Sequence, residues 1–306
     1  MSIPVFPEFR QITKEDKQDI EQVLLANNIE IAELTFPNMF AWREYDHPEV
    51  SILNDNLLFL SAPWNEPSCR FMMPIGTKNI VETIRSCLQY LVREKECKKP
   101  HIARLPENIV KEYKLEEHFI CEADRDNSDY VYQVSDLAEL KGRKYDGKRN
   151  HIKKVKERGD YQYKDLTIED IGGCKKVLAA WAKHKFKKEE VDNLETLIFG
   201  EKALYQYLDN FEYLGLCGGV IVKADKVVAF TLASRLNKDT AVTYAETSLP
   251  EEKGLNQLLN QEFCQKGLKE FKYVNREQDL GHPGLRKAKM SYQPHHLVNK
   301  YNVRPK

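Results

Sequence analysis

The chain has no run approaching 18 uncharged apolar residues, and its first 17 residues lack the basic-then-apolar order of a secretory leader. Membrane-spanning and exported classes are thereby set aside, and the expected location is the cytoplasm. Its seven cysteines (Cys69, Cys87, Cys97, Cys121, Cys174, Cys217 and Cys264) include no C-x-x-C pair. An odd, scattered set predicts reduced and mostly buried thiols, not a disulfide framework or a zinc site. Also missing are H-E-x-x-H, a Walker loop and a dinucleotide-binding G-x-G-x-x-G, so no metal and no nucleotide loop is expected. Neither sign of charge is in excess, with 47 Lys+Arg against 47 Asp+Glu. What is present is 306 residues, 42% of them hydrophobic, which is enough chain for about two domains with cores of their own.

The neutral total conceals a concentrated stretch of one sign. Between Lys141 and Arg158 there are nine Lys/Arg and two acids, near the middle of the chain. Such a run attracts anions. The spacing of its apolar residues predicts a helix with cations on several faces. Most of its charges read as ordinary solvated positions. No aromatic falls between Tyr145 and Tyr161, so contact with a phosphate backbone is expected rather than base stacking.

An internal repeat lies on either side of this run. Phe9-Arg-Gln-Ile-Thr-Lys-Glu-Asp16 and Tyr163-Lys-Asp-Leu-Thr-Ile-Glu-Asp170 match in aromatic, basic, aliphatic, Thr, Glu and Asp positions at an offset of 154 residues. In each copy a Thr is followed three residues later by an Asp, a variant of the capping box that opens a helix. Apolar residues then recur in matching places, Ile20, Val23 and Leu24 against Cys174, Val177 and Leu178.

The first half reads as helix 16–28, strands 50–53, 57–61 and 70–74, helix 76–95, strand 101–105, helix 106–113, and strands 119–123 and 130–134. The second half repeats the order: helices 170–185 and about 193–208, strands 213–222, 226–234 and 240–246, helix 254–267, strand 272–275, helix 283–287 and a terminal strand 296–301. Strands interrupted by helices without strict alternation predict an α+β fold with mixed, mainly antiparallel sheets. The domains expected are 1–135, a basic helical connector 136–160, and 161–306.

This order is similar to the plan of the GNAT acyltransferases, here as two tandem GNAT-like domains. Three motifs narrow the resemblance: Leu140-Lys-Gly-Arg-Lys-Tyr-Asp-Gly-Lys-Arg-Asn-His-Ile-Lys-Lys154, Tyr273-Val-Asn-Arg-Glu-Gln-Asp-Leu-Gly281 and Gly284-Leu-Arg-Lys-Ala-Lys-Met-Ser-Tyr-Gln-Pro294. They resemble the phosphatidylglycerol lysyltransferase C-terminal domain family, related to the Fem-type aminoacyltransferases. The resemblance implies transfer of an aminoacyl or acyl group, with an aminoacyl-tRNA as suspected donor and a small molecule, peptide or lipid headgroup as acceptor, and it makes Lys148 and Arg149, which fall within the first motif, candidates for substrate contact. The first copy is expected to be degenerate, with a structural or acceptor-binding role.

Aminoacyl transfer needs a carbonyl held in place, a base for the incoming amine or hydroxyl, and donors for the developing oxyanion. In the GNAT plan the carbonyl lies where two adjacent strands splay apart, here 240–246 and 272–275. Glu246 is the candidate base. Asn275 is a candidate for holding the donor's amide or carbonyl, Arg276 for a carboxylate or phosphate, and Glu277 and Asp279 for an ammonium. Arg286 and Lys289 are placed to share a helix face that grips phosphate, and Tyr292 to protonate a leaving hydroxyl. Plain alternatives accompany these: Glu246 as a strand-end ion-pair carboxylate, Asp279 bonded to backbone at Gly281, and Tyr292 as a packed aromatic.

Coenzyme A in a GNAT enzyme is cradled by an [RQ]-x-x-G-x-[GA] turn. Here that place reads Glu251-Glu-Lys-Gly254-Leu-Asn256, which has an acid first and Asn last. Coenzyme A is therefore disfavoured and no cofactor is required. Two rival readings remain, an acyl-CoA-dependent N-acyltransferase and a catalytically silent module that binds RNA or protein through the basic run.

Overall fold

The computed structural model describes residues 3–63, 70–159, 161–187 and 194–306; Cys69 and Asn193 lie outside them. The strands in chain order are β1 (Arg10–Gln11), β2 (Glu49–Leu53), β3 (Asn56–Ser61), β4 (Arg70–Met72), β5 (Ile102–Pro106), β6 (Ile120–Ala123) and β7 (Asp129–Gln133), then β8 (Gln162–Asp165), β9 (Cys217–Lys223), β10 (Lys226–Arg235), β11 (Thr240–Ser248), β12 (Tyr273–Asn275), β13 (His296–Val298) and β14 (Lys300–Arg304). The helices are α1 (Lys17–Ala26), α2 (Phe36–Ala41), α3 (Arg43–Asp46), α4 (Ile80–Arg93), α5 (Glu107–Glu112), α6 (Leu115–His118), α7 (Val134–Glu139), α8 (Asp146–Arg158), α9 (Ile171–Phe186), α10 (Leu194–Asp209), α11 (Leu255–Lys266) and α12 (Pro283–Met290).

Both repeats of the Thr-x-x-Asp pattern form capping boxes, and both are anchored from the preceding strand. The Thr13 N–H donates to Asp16 Oδ2 at 2.7 Å, and the Thr167 N–H to Asp170 Oδ2 at 3.1 Å. Arg10 pairs with Asp16 at 2.6 Å and Lys164 with Asp170 at 2.7 Å. These two cations occupy the repeat's basic position. Each box turns the chain from a strand into a helix whose apolar face packs inward: Ile20 and Leu24 in α1, and Cys174, Val177, Leu178 and Ala182 in α9.

The strands form two sheets of the same plan, β1-β2-β3-β4-β5-β14-β6 and β8-β9-β10-β11-β12-β7-β13. In each, the first four strands are antiparallel neighbours and the fourth and fifth run parallel. This is the tandem GNAT-like α+β fold. The chain divides into one unit of residues 1–129, 278–283 and 297–306, and another of 130–277 and 284–296.

Three sequence-based boundaries need correction. The expected terminal strand 296–301 is two strands broken at Asn299, and they join different sheets. β14 lies between β5 and β6, with Val303 fully buried, while β7, expected to close the first half, lies beside β12 in the second sheet. Each sheet thus takes its sixth position from the other half of the sequence, because an inner strand must be hydrogen-bonded on both edges. The expected connector 136–160 is also part of the second unit. Ile152 and Val155 of α8 pack with Leu140, Tyr145, Ile221 and Leu258.

None of the described cysteines is in a disulfide. Burial keeps Cys174, Cys217 and Cys264 protonated, their pKa values pushed up to about 12, about 11 and about 12. No helix among the described residues is long and apolar enough to cross a membrane, and no cluster there suits a metal ion.

Candidate active site

β11 pairs with β12 only from Thr240 to Val242, yet continues its ladder with β10 as far as Ser248. The register between β10 and β11 skips Tyr244, an extra residue that bends β11 just past the point where β12 leaves it. The bend opens a gap between the two strands, and the β12-side edge of β11 beyond Val242 has no ladder partner there.

Glu246 stands on that edge. Its Oε1 accepts from Asn260 Nδ2 at 2.8 Å, and its Oε2 pairs with Arg276 Nη2. Asn260 is delivered by α11 and is only 4% exposed. Arg276 follows β12, its guanidinium 4.7 Å from the ring centroid of Tyr292 and 5.4 Å from that of Tyr132. The backbone after Arg276 bulges through Glu277, whose φ of 56° is left-handed, and the Glu277 N–H donates to Asn275 Oδ1 at 2.8 Å. Lys289 of α12 clamps the same turn, its Nζ donating to the Arg276 and Glu277 carbonyls. Tyr132 of β7 donates to the Lys289 carbonyl at 2.9 Å.

α8 contributes Lys148. Its Nζ donates to Ser291 Oγ at 2.7 Å and lies 3.9 Å from the centroid of Tyr292. Tyr292 is itself fixed from below, since its carbonyl accepts from the Tyr145 hydroxyl at 3.1 Å. The Tyr292 hydroxyl has no hydrogen-bond partner among the described residues.

Burial and charge set the protonation of the group. Desolvation works against the Arg276 charge, but Glu246 outweighs it and holds the guanidinium protonated well above its usual range. Burial raises the Tyr292 and Tyr132 hydroxyls far above an ordinary phenol, so both stay protonated. Desolvation, with the Arg276 charge second, lowers the Lys148 pKa.

Of the residues singled out in the sequence, Glu246, Arg276, Lys289, Tyr292 and Lys148 come together here, with Asn275 shaping the turn beneath Arg276. Glu277 supplies backbone to the same turn, and Arg286 lies on α12 three residues before Lys289, half-buried. Two others fall elsewhere. Arg149 points away from Lys148, donating to the Leu140 and Gly142 carbonyls and pairing with Asp146. Adjacent helix positions face about 100° apart, so α8 offers only one of the two to the gap. Asp279 belongs to the first unit, where it accepts from the Gly281 N–H at 2.9 Å and from Arg125 at 3.3 Å. Sequence reasoning missed Asn260 and Tyr132. The signal for Asn260 was an amide on the apolar face of α11, between Leu259 and Phe263.

The phosphatidylglycerol lysyltransferase C-terminal family matches residues 28–304. A conserved protein of unknown function from Bacteroides thetaiotaomicron is 31% identical, with a TM-score of 0.87 over 97% of this chain and 99% of its own. The C-terminal domain of a putative lysylphosphatidylglycerol synthetase from Agrobacterium fabrum is 12% identical, with a TM-score of 0.66 over 95% and 92%. FemX is 8% identical, with a TM-score of 0.60 over 96% of each chain. No curated protein matches the sequence.

Proposed function

The chain belongs to the phosphatidylglycerol lysyltransferase C-terminal family, and from that premise we propose that its second unit moves an aminoacyl group from an aminoacyl-tRNA to an amine or hydroxyl acceptor. The observation that carries this reading is the Glu246–Arg276 pair, held by Asn260 at the gap between β11 and β12. The donor's ester carbonyl lies in the gap, against the main-chain edge of β11 that β12 leaves unpaired. Arg276, kept charged by Glu246, faces the oxyanion that develops there. Glu246 takes the proton of the incoming acceptor as its nitrogen or oxygen bonds to the carbonyl carbon. The ester C–O bond breaks, and Tyr292, protonated and with a free hydroxyl, gives its proton to the departing ribose oxygen. Glu246 then returns the acceptor's proton to Tyr292 through solvent, so neither residue is changed overall.

A donor other than coenzyme A is supported by the packing at the start of α11. Gly254, with φ of 89°, precedes the helix, and a Cβ there would come within 3.0 Å of Val155 on α8. Arg158 of α8 also donates to the Lys253 carbonyl. The helix end that would cradle a pyrophosphate therefore carries a helix of the same chain.

The test is to incubate the protein with a panel of charged tRNAs and follow deacylation. Wild type should deacylate at least one of them, with Glu246→Gln slower by about 100-fold or more. Neither binding nor deacylation with any charged tRNA overturns the reading. Saturable thermal stabilisation by coenzyme A would move the donor to an acyl-CoA.

A further inference from the structure

Two cations, Lys148 and Arg276, approach the Tyr292 ring, at 3.9 and 4.7 Å from its centroid, and among the described residues only Arg276 of the two pairs with a carboxylate. That carboxylate, Glu246, is engaged by Arg276 Nη2 and Asn260. Among the described residues no carboxylate pairs with Lys148, whose ammonium is held by a serine hydroxyl and the face of an aromatic ring. Such an ammonium, partly desolvated and repelled by a neighbouring guanidinium, is less favourable than one in water.

A second observation points the same way. Arg276 Nη1 is buried and has no hydrogen-bond partner among the described residues. Native structures rarely leave a buried donor of a charged group unused unless something else satisfies it. The free Tyr292 hydroxyl adds a third donor at the edge of the same ring.

We propose that Lys148 and Arg276 frame a subsite over Tyr292 for the oxyanion of a phosphate ester. The donors come from three separate elements: α8, the end of β12, and the turn after α12. Donors from three elements suit the several oxygens of a tetrahedral phosphate better than a planar carboxylate, which one guanidinium edge would bind alone. A phosphate there satisfies Nη1 and supplies the counter-charge that Lys148 lacks. The subsite rests on the transferase reading only for its assignment: the phosphate belongs either to the nucleotide end of the donor or to a glycerophosphate-type acceptor.

The experiment is calorimetric titration at fixed ionic strength with inorganic phosphate, adenosine 5′-monophosphate and sn-glycerol 3-phosphate. Wild type should bind phosphate esters saturably, and Lys148→Met should weaken binding about tenfold or more, the usual worth of a charge-assisted hydrogen bond. Tyr292→Phe should weaken it severalfold, and Arg149→Met should leave it unchanged. Tighter binding of the nucleotide assigns the subsite to the donor, and tighter binding of glycerol phosphate assigns it to the acceptor. Equal weakening by Arg149→Met and Lys148→Met overturns the proposal in favour of diffuse surface charge, as does the absence of any heat in wild type at tens of millimolar phosphate. Should Lys148→Met fail to fold, NMR of lysine-labelled wild type decides, because bound phosphate must raise the Lys148 pKa and an unmoved titration refutes the subsite. Phosphate binding without tRNA deacylation removes only the transferase reading, whereas deacylation without phosphate binding removes only the subsite.

Discussion

The two sheets share one strand order, and both bulge at the fifth strand through a left-handed residue, Arg104 with φ of 63° and Glu277 with φ of 56°. What surrounds the two bulges differs. In the first unit Arg104 pairs with Glu33 at 2.8 Å and with Asp124 at 3.0 Å, while Lys300, fully buried on β14, bridges Glu33 at 2.5 Å and Asp129 at 2.6 Å. Asp129 also accepts from the Ala32 N–H at 3.0 Å, and Asn302 and Asn127 bond to Asp124. Burial raises the Asp129 pKa, whereas at Glu33 the nearby Lys300 and Arg104 outweigh the same burial and lower it. Each cation there has two carboxylates, although Glu33 Oε1, 2.8 Å from Arg104 Nε, accepts no hydrogen bond from the described residues. In the second unit Arg276 has one carboxylate, while among the described residues Lys148 has none and Arg276 Nη1 has no hydrogen-bond partner. Cations matched by carboxylates hold a fold together, and a cation without one is available to an anionic ligand.

The largest expected effect tests the shared plan of the sheets. Separating the chain after residue 135 gives two pieces, each lacking an inner strand of its sheet. Neither fragment alone should show a cooperative urea transition by circular dichroism; a cooperative transition in either one would mean that the exchange of β7 and β14 is dispensable.

Next comes the contrast between matched and unmatched cations. Lys300→Met leaves Asp129 and Glu33 without their buried partner and should cost about 3–5 kcal/mol, read from the urea midpoint at constant m-value. Lys148→Met removes a cation that has no carboxylate among the described residues and should change stability by about 1 kcal/mol or less. Equal losses in the two variants would erase the distinction.

Glu246→Gln lies between these. It strips the counter-charge from Arg276 but keeps the shape, and the pair retains slight solvent contact, with side chains 14% and 15% exposed. A loss of about 2–3 kcal/mol is expected by urea titration, smaller than that of Lys300→Met.

The smallest effect compares the two capping boxes. Hydrogen bonding from Arg10 lowers the Asp16 pKa; at Asp170 burial opposes, but the Lys164 and Thr167 hydrogen bonds prevail and lower it too. A depressed carboxylate stabilises the fold above its unfolded pKa of about 4, and that contribution disappears as pH falls below this value. Asp16→Asn and Asp170→Asn should each cost about 1 kcal/mol at pH 7, and each should flatten the loss of wild-type stability between pH 4 and 2. Asp16→Asn should flatten it more, because two Arg10 nitrogens bond to Asp16, at 2.6 and 2.7 Å, whereas one lysine serves Asp170. Identical pH profiles for the two variants would remove this difference between the copies.

Much of the architecture was legible. The 154-residue offset found both capping boxes, since a box is made from residues three apart and needs no tertiary partner. The strands and helices fell where alternation and helical spacing placed them, within a few residues. α2, α3 and α6 escaped notice: each is short, and α2 is buried on every side, which removes the amphipathic pattern. At the candidate site, Glu246, Arg276, Lys289, Tyr292 and Lys148 were singled out from their density near strand ends and within family-like motifs. Asn260 and Tyr132 were not, because each acts from an element that looks like ordinary core.

Composition, spacing and repeat settled the class and the order of elements, because those are properties of neighbours along the chain. Only the tertiary structure decided that β14 belongs to the first sheet and β7 to the second, and that Lys148 but not Arg149 faces Tyr292. Hydrogen-bonded edges and the partners of buried charges are chosen between segments up to 267 residues apart, as with Lys300 and Glu33, and no local pattern records that choice.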